Sequence, residues 1–134
     1  MTVIVCVDDK MGMCFNHRRQ SSDRLLRADL LSEASGHPLH MNSYSAAQFN
    51  ETAENFRISE EFLSLAETDD ICFVETSPLL PYKDKIQKII LYKWNRRYPG
   101  DLFFDLPLKE WTLLETRDFT GSSHKTITKE VYVK

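Results

Sequence analysis

Several features that would assign a function directly are missing from this sequence. No run approaches the eighteen or more apolar residues of a membrane-spanning helix, so we expect no membrane segment. There is no Walker loop, no G-x-G-x-x-G fingerprint, no H-E-x-x-H metal motif and no G-x-S-x-G elbow. No single motif therefore names a reaction, and function has to be inferred from clusters of polar side chains.

Disulfides, a leader segment and a strong net charge are missing as well. The number of cysteines is odd, and no C-x-x-C pair is formed by Cys6, Cys14 and Cys72. This pattern favours free thiols in a reducing cytoplasm. The chain opens on an apolar strand without a basic leader, so we expect no signal peptide. The net charge of −3 argues against a protein that coats DNA without sequence preference.

The charges that are present are unevenly distributed. Residues 10–27 and 83–97 hold eleven of the seventeen basic residues, with one acid in each window. Residues 51–75 hold eight acids and a single arginine. The sequence therefore predicts one basic and one acidic face, provided that the two basic windows meet in space.

The hydrophobic pattern predicts one α+β domain over residues 1–134. We expect an N-terminal β-α-β portion followed by an antiparallel strand meander, with helices packed on a mixed sheet. Strands are predicted over residues 2–7, 38–44, 70–76, 85–95, 102–105, 111–119 and 125–134. The first helix is predicted to begin after Ser21 or Ser22 as N-cap and to stop at Gly36. Two shorter helices are predicted over residues 45–49 and 59–67. Residues 50–57 are predicted as loop, and residues 98–101 as a type II turn.

The polar stretch between the first strand and the first helix is the first candidate site. Asp8 and Asp9 follow the strand directly, where adjacent acids can hold Mg²⁺; the alternative is that Asp8 caps a turn. Arg18 and Arg19, just before a helix start, favour an anion site. Lys10 and Asn16 are the further candidate ligand-binding residues there; the alternative is a structural network of the arginines with the two aspartates.

Two more clusters lie near strand ends in the second half of the chain. Trp94, with Lys93, Asn95 and Arg96 beside it, combines a stacking surface with cations, as nucleotide sites do, although such an aromatic is also typical of a core.

His124 follows a small turn and is the histidine best placed for acid–base chemistry. Ser122, Ser123 and Thr126 beside it are candidate ligand-binding residues. The alternative is a surface histidine in a hairpin turn.

Segments that include "CVDDKMGMCFNHRRQSSD", "KIILYKWNRRYPGD" and "FTGSSHKTITKEVYVK" resemble a family of short, largely uncharacterised proteins from Gram-positive bacteria. Members are often labelled ribonuclease Z. True ribonuclease Z needs an H-x-H-x-D-H run for two zinc ions, and this sequence has no such run, so neither a zinc site nor tRNA processing is expected.

These clusters predict a cytoplasmic protein that binds a phosphate-bearing ligand, RNA or a nucleotide. As a metal-independent ribonuclease it would use His124 as general base and Arg19 and Lys93 at the phosphate, with Glu75 or His17 as second acid–base group. The alternatives are a non-catalytic module that binds a protein or small regulator, and a Mg²⁺-assisted phosphohydrolase using Asp8 and Asp9. No cofactor is expected except that Mg²⁺, and the oligomeric state is left open.

Overall fold

The chain is built around one large sheet with helices on both faces. The computed structural model describes residues 1–50 and 52–134. The strands β1 to β10 are Thr2–Val7, Gly12–Phe15, Arg18–Arg19, Leu39–Met41, Phe56–Ile58, Ile71–Phe73, Lys88–Lys93, Leu102–Phe103, Thr112–Phe119 and Ile127–Val133. The helices α1 to α3 are Arg24–Glu33, Ser43–Ala46 and Phe62–Leu65, and short 3₁₀ helices cover Leu80–Lys85 and Leu108–Glu110.

The sheet is mixed, which confirms the predicted α+β class. Its seven strands lie in the order β5-β4-β6-β1-β7-β10-β9. The five strands from β5 to β7 are parallel, whereas β10 is antiparallel to both β7 and β9. The antiparallel portion therefore begins only after β7. That residues 1–134 form a single domain stays a prediction.

Strand β1 lies inside the large sheet because the side chains on both of its faces are apolar and can be buried. Val3, Val5 and Val7 belong to the core on one face of the sheet, and Ile4 belongs to the core on the other. A strand buried on both faces needs a continuous apolar run, which "TVIVCV" provides. Helix α1 covers the second face through Leu26, Leu30 and Ala34. Within the described ranges no helix has the length and apolar character to cross a membrane.

Helix α1 begins one or two residues later than predicted, because Asp23 and not Ser21 or Ser22 is the N-cap. Asp23 has an extended backbone (φ −154°, ψ 126°). Its Oδ1 accepts hydrogen bonds from the N–H groups of Leu25 and Leu26 at 3.0 and 3.1 Å. The first N–H groups of a helix have no carbonyl partner within the helix, so this cap satisfies two of them. After the helix, Gly36 takes a left-handed conformation (φ 83°) at the predicted stop.

The stretch between β1 and α1 is a hairpin rather than the predicted loop. Strands β2 and β3 pair antiparallel with Phe15 opposite Arg18. The two residues between them, Asn16 and His17, both have positive φ (52° and 62°), as a type I′ turn requires. Together with β8 the hairpin forms a small second sheet.

Two further local predictions are wrong. Residues 50–57 were expected as loop, but Phe56–Ile58 forms the parallel edge strand β5. The turn over residues 98–101 is not type II, because Gly100 does not have the positive φ that this type needs at its third position. Gly100 instead packs closely on the hairpin, where an added Cβ would lie 3.6 Å from the Cα of Gly12 and 3.1 Å from Gln20.

The packing of α1 makes a prediction about stability. Leu30 is fully buried against the sheet, whereas Leu25 on the same helix is 38% exposed. We expect Leu30→Ala to lower the free energy of unfolding by about 2–5 kcal/mol, because it leaves a cavity in the core. Leu25→Ala serves as the matched control and should change it by no more than about 0.5 kcal/mol. Urea denaturation measures both, and equal losses would contradict this placement of the helix.

Candidate functional site at the carboxyl edge of the sheet

Three parallel strands, β1, β6 and β7, end at the same edge of the sheet. The residues that follow them include Asp8, Glu75 and Trp94, and the N-terminus of α1 with Asp23 meets them there. In open α/β sheets, ligands bind beyond the carboxyl ends of the strands. This edge is therefore the place to look for a site, and it holds two separate clusters of buried polar side chains.

The first cluster surrounds the carboxylate of Asp23, whose side chain has no exposed surface. Besides the two N–H groups of α1, it accepts from the N–H groups of Ser122 and Ser123 at 3.0 and 2.9 Å. Burial would raise the pKa of Asp23, but these hydrogen bonds and that of His124 prevail and hold its pKa well below the usual range. Asp23 is therefore a carboxylate anion that joins α1 to the loop before β10.

His124 lies between Asp23 and a serine hydroxyl. Its Nδ1 is 2.9 Å from Asp23 Oδ2, and its Nε2 is 2.8 Å from the Oγ of Ser21. The Tyr98 hydroxyl lies 3.3 Å from the same Nε2, and the ring of Trp94 packs on the imidazole at a centroid distance of 4.5 Å. His124 is only 4% exposed, so it is not the surface turn histidine of the alternative interpretation.

The second cluster surrounds the carboxylate of Glu75, which is 7% exposed. Arg19 donates to it through Nε and Nη2 at 3.0 and 3.1 Å. Ser45 Oγ and Gln48 Nε2 donate to its Oε1 at 2.8 and 3.1 Å. Tyr44 completes the cluster, because the Arg19 guanidinium stacks 4.3 Å from its ring centroid. Four charge-assisted or neutral hydrogen bonds thus hold one carboxylate in place.

Asp8 accepts hydrogen bonds from backbone N–H groups of its own loop and of the loop after β7. Its Oδ1 accepts from the N–H groups of Lys10 and Gly12 at 3.0 and 2.7 Å, and its Oδ2 accepts from the N–H of Tyr98 at 3.0 Å. Asp9 is exposed. Within the described part of the chain, no group of three or more His, Cys, Asp or Glu side chains is placed to hold a metal ion.

The other predicted site residues lie outside both clusters. Lys93 pairs with Glu130 on β10 at 3.3 Å, because it faces the opposite side of β7 from Trp94. Asn95 donates to the carbonyl of Thr126 at 3.2 Å, and the side chains of Thr126 and Arg96 are exposed. The structure therefore brings Trp94, Ser122 and Ser123 to His124, but not Lys93, Asn95, Arg96 or Thr126.

The remaining candidates lie on the hairpin of β2 and β3 and on the turn that precedes it. Asn16, His17, Arg18 and Lys10 are exposed. The N–H of Asn16 donates to the carboxylate of Asp101 at 3.1 and 3.2 Å, which ties the tip to the loop before β8. Arg18 and Arg19 are neighbours on a strand and point to opposite sides, so only Arg19 reaches the buried cluster.

Sequence reasoning missed the residues that give both clusters their geometry. Asp23 was interpreted only as a helix-start residue, and Ser21 as a helix cap and as a hydrogen-bond donor to an anion. Tyr44, Ser45 and Tyr98 were not considered as site residues. One signal was available: Asp23 is the single acid of the basic window over residues 10–27. The pairing of Asp23 with a histidine 101 positions later had no sequence signal.

Comparisons with known proteins identify the fold. No family model matches the sequence, and no curated protein matches it. Among solved structures, the chain is similar to dihydrofolate reductase from Enterococcus faecalis complexed with NADP(H) and RAB-propyl, with a TM-score of 0.69 and 11% sequence identity. The match covers 98% of this chain and 94% of that chain. The chain therefore has the fold of a dihydrofolate reductase.

This similarity corrects the functional predictions made from sequence. The ribonuclease Z-labelled family is not supported, because no family model matches and the structural neighbour is a reductase. The prediction of an RNA-binding protein or ribonuclease is wrong on the same finding, and so are the alternatives of a protein-interaction module and a Mg²⁺-assisted phosphohydrolase. The expectation of no organic cofactor is also corrected, because the matched reductase is complexed with NADP(H).

The buried carboxylate of Asp23 predicts a pH-dependent contribution to stability. The pKa of Asp23 in the folded chain lies below its ordinary value of 3.8, so its contribution is present above pH 4 and is lost as the pH falls below that value. We expect Asp23→Asn to lower the free energy of unfolding at pH 7 by about 2 kcal/mol. The difference from the wild type should shrink as the pH falls from 5 to 2.

Urea denaturation at a series of pH values measures this difference. Asp9→Asn is the matched control, because Asp9 is exposed and its substitution should change the free energy of unfolding little at any of these pH values. A difference for Asp23→Asn that stays constant between pH 7 and pH 2 would contradict the ionised, hydrogen-bonded state of this carboxylate.

Proposed function

We propose that this chain is a reductase-type protein that binds NADP(H) and an aromatic acid of the dihydrofolate class at the carboxyl edge of its sheet. The observation that carries the proposal is the end-to-end match to a dihydrofolate reductase complexed with NADP(H), which covers 98% of this chain. Two local features of this edge support it: a cluster of anion donors and a groove with two arginines. When bound, NADP(H) would supply the hydride.

The donors around Glu75 are suited to a phosphate group of the cofactor. Arg19, Ser45 and Gln48 converge on two carboxylate oxygens, and the same kinds of donor bind phosphate oxygens. In this structure they hold Glu75, which acts as an internal anion at that position. A phosphate would use these donors in place of the Glu75 carboxylate, so the affinity for the cofactor depends on how readily this side chain moves away.

A groove beside α1 is suited to an aromatic acid. It has a volume of about 210 Å³ and is lined by Arg24, Arg27, Ala28, Leu31, Phe49 and Asn50. Dihydrofolate has planar aromatic rings and a carboxylate tail. Leu31 and Phe49 would contact the rings, and Arg24 and Arg27 would bind a carboxylate through their planar guanidinium groups.

The cellular location belongs to this proposal. Cys6, Cys14 and Cys72 are free thiols, which suits a reducing compartment. We therefore place the protein in the cytoplasm.

Cofactor binding is tested by titrating NADPH into the wild type and into Glu75→Gln. Replacing the carboxylate with a neutral amide removes the anion that competes for Arg19, so we expect binding about tenfold tighter, or about 1.4 kcal/mol, for the variant. The matched control is Glu130→Gln, an acid paired with Lys93 away from this cluster, which should leave the Kd unchanged.

Isothermal titration calorimetry gives the Kd of each protein. Failure of both the wild type and Glu75→Gln to bind NADPH at millimolar concentration would overturn the proposed cofactor. Binding that is equally tight in the two proteins would show that a phosphate is held elsewhere.

Substrate binding is tested with Arg27→Ala. Arg27 is half-buried in the groove, so losing its charge-assisted hydrogen bonds to a carboxylate should weaken dihydrofolate binding by about tenfold or more. Arg96→Ala is the matched control, because Arg96 is exposed on the loop after β7 and does not line the groove. Fluorescence quenching on titration of dihydrofolate measures both, and an equal loss in the two variants would contradict the assignment of the groove.

A further inference from the structure

We infer that Ser21, His124 and Asp23 form a nucleophilic triad, so that Ser21 Oγ attacks activated esters and related acyl or phosphonyl electrophiles. This activity goes beyond the proposed reductase function and needs no NADP(H). The inference rests on geometry: Ser21 Oγ lies 2.8 Å from His124 Nε2, and His124 Nδ1 lies 2.9 Å from Asp23 Oδ2. A triad is recognised by this geometry and by the roles of its members, not by their order in the chain.

The tautomer of His124 is the one that a general base requires. Asp23 is ionised and can only accept hydrogen bonds, so His124 Nδ1 must carry the proton that joins the two residues. When the ring is neutral, its Nε2 carries a lone pair that accepts the hydrogen bond from the Ser21 hydroxyl. Asp23 holds the imidazole in this orientation and would stabilise the imidazolium that forms during attack.

The exposure of the three residues also matches these roles. Asp23 and His124 have side chains that are 0% and 3% exposed, whereas Ser21 is half-buried. Trp94 packs on the imidazole. The proposed nucleophile is therefore more exposed than the base and its partner carboxylate.

Two backbone groups next to Ser21 can stabilise the developing negative charge. The N–H groups of Ser22 and Asp23 donate to no backbone carbonyl within residues 1–50 and 52–134. They stand directly before the first turn of the ten-residue helix α1, where the helix dipole also favours an anion. The N–H of the residue that follows a nucleophile is a common oxyanion donor.

The reaction with an ester follows from these positions. The Ser21 oxygen bonds to the carbonyl carbon while its proton passes to His124 Nε2. The carbon–oxygen bond to the leaving alcohol breaks, and His124 gives its proton to the departing oxygen, which restores the neutral imidazole. Water then attacks the acylated serine with His124 again as base, and the products are a carboxylic acid and the regenerated hydroxyl.

The test uses an alkyl fluorophosphonate, which forms a stable phosphorus–oxygen bond to an activated serine with loss of fluoride. We expect stoichiometric labelling of the wild-type protein, with the adduct located on Ser21 by peptide mass spectrometry. Ser21→Ala should abolish this labelling. Ser35→Ala is the matched control, because Ser35 is an exposed serine just after the C-terminal end of α1, whereas Ser21 stands before its N-terminal end, and this variant should label as the wild type does.

A second variant identifies the base. His124→Gln should slow labelling by roughly 10²- to 10⁴-fold, which is the typical contribution of a general base. Circular dichroism and urea denaturation show whether each variant is folded. A wild type that is not labelled at Ser21, or a folded His124→Gln variant that is labelled at the wild-type rate, would overturn the triad. Neither result would bear on NADP(H) binding, so the two proposals are tested separately.

Discussion

The carboxylate of Asp23 is the interaction on which the arrangement of the candidate site depends. It accepts hydrogen bonds from two N–H groups at the start of α1, from two N–H groups of the loop before β10, and from His124. An isolated carboxylate without exposed surface would be strongly unfavourable, and these donors offset that cost. One side chain thereby joins a helix from the first quarter of the chain to a loop from the last tenth, and it sets the position and the tautomer of the histidine between them.

A second buried carboxylate, that of Glu75, organises the neighbouring part of the same edge. Both anions are held by several donors in positions where an α/β fold offers its ligand site. Their consequences differ, however. Asp23 is hydrogen-bonded to backbone N–H groups and to His124, and these bonds fix the position of His124 in the site. Glu75 is hydrogen-bonded to side chains, which can change partners, so the proposed anionic ligand would compete with it directly.

The fold and the two clusters bear on function in different ways. At 11% identity the match to a reductase shows how the backbone is arranged, and the proposal of a nucleotide cofactor starts from that arrangement. The triad of Ser21, His124 and Asp23 is a property of this chain's own side chains. A single fold can carry unrelated chemistries because reactivity depends on a few side chains at its edge. The proposed reductase-type binding and the proposed nucleophilicity of Ser21 are therefore independent of each other.

The sequence by itself determined the α+β class, the central strand and the stop of the first helix. These features depend on local patterns: "TVIVCV" is apolar on both faces, and Gly36 adopts the left-handed conformation that ends a helix. It did not reveal the hairpin of β2 and β3, because a two-residue turn of Asn16 and His17 between short strands leaves almost no periodicity.

Only the tertiary structure decided the site. The sequence singled out His124, Arg19 and Trp94 as polar or aromatic residues at the ends of elements, and it assigned them to one phosphate site. It singled out Asp8 as a possible Mg²⁺ ligand. Folding instead separates Arg19, which binds Glu75, from His124, which binds Asp23 and Ser21. The physical reason is that a hydrogen bond is short and directional, so partners 56 and 101 positions apart in the chain are chosen by strand order and by the faces on which side chains emerge.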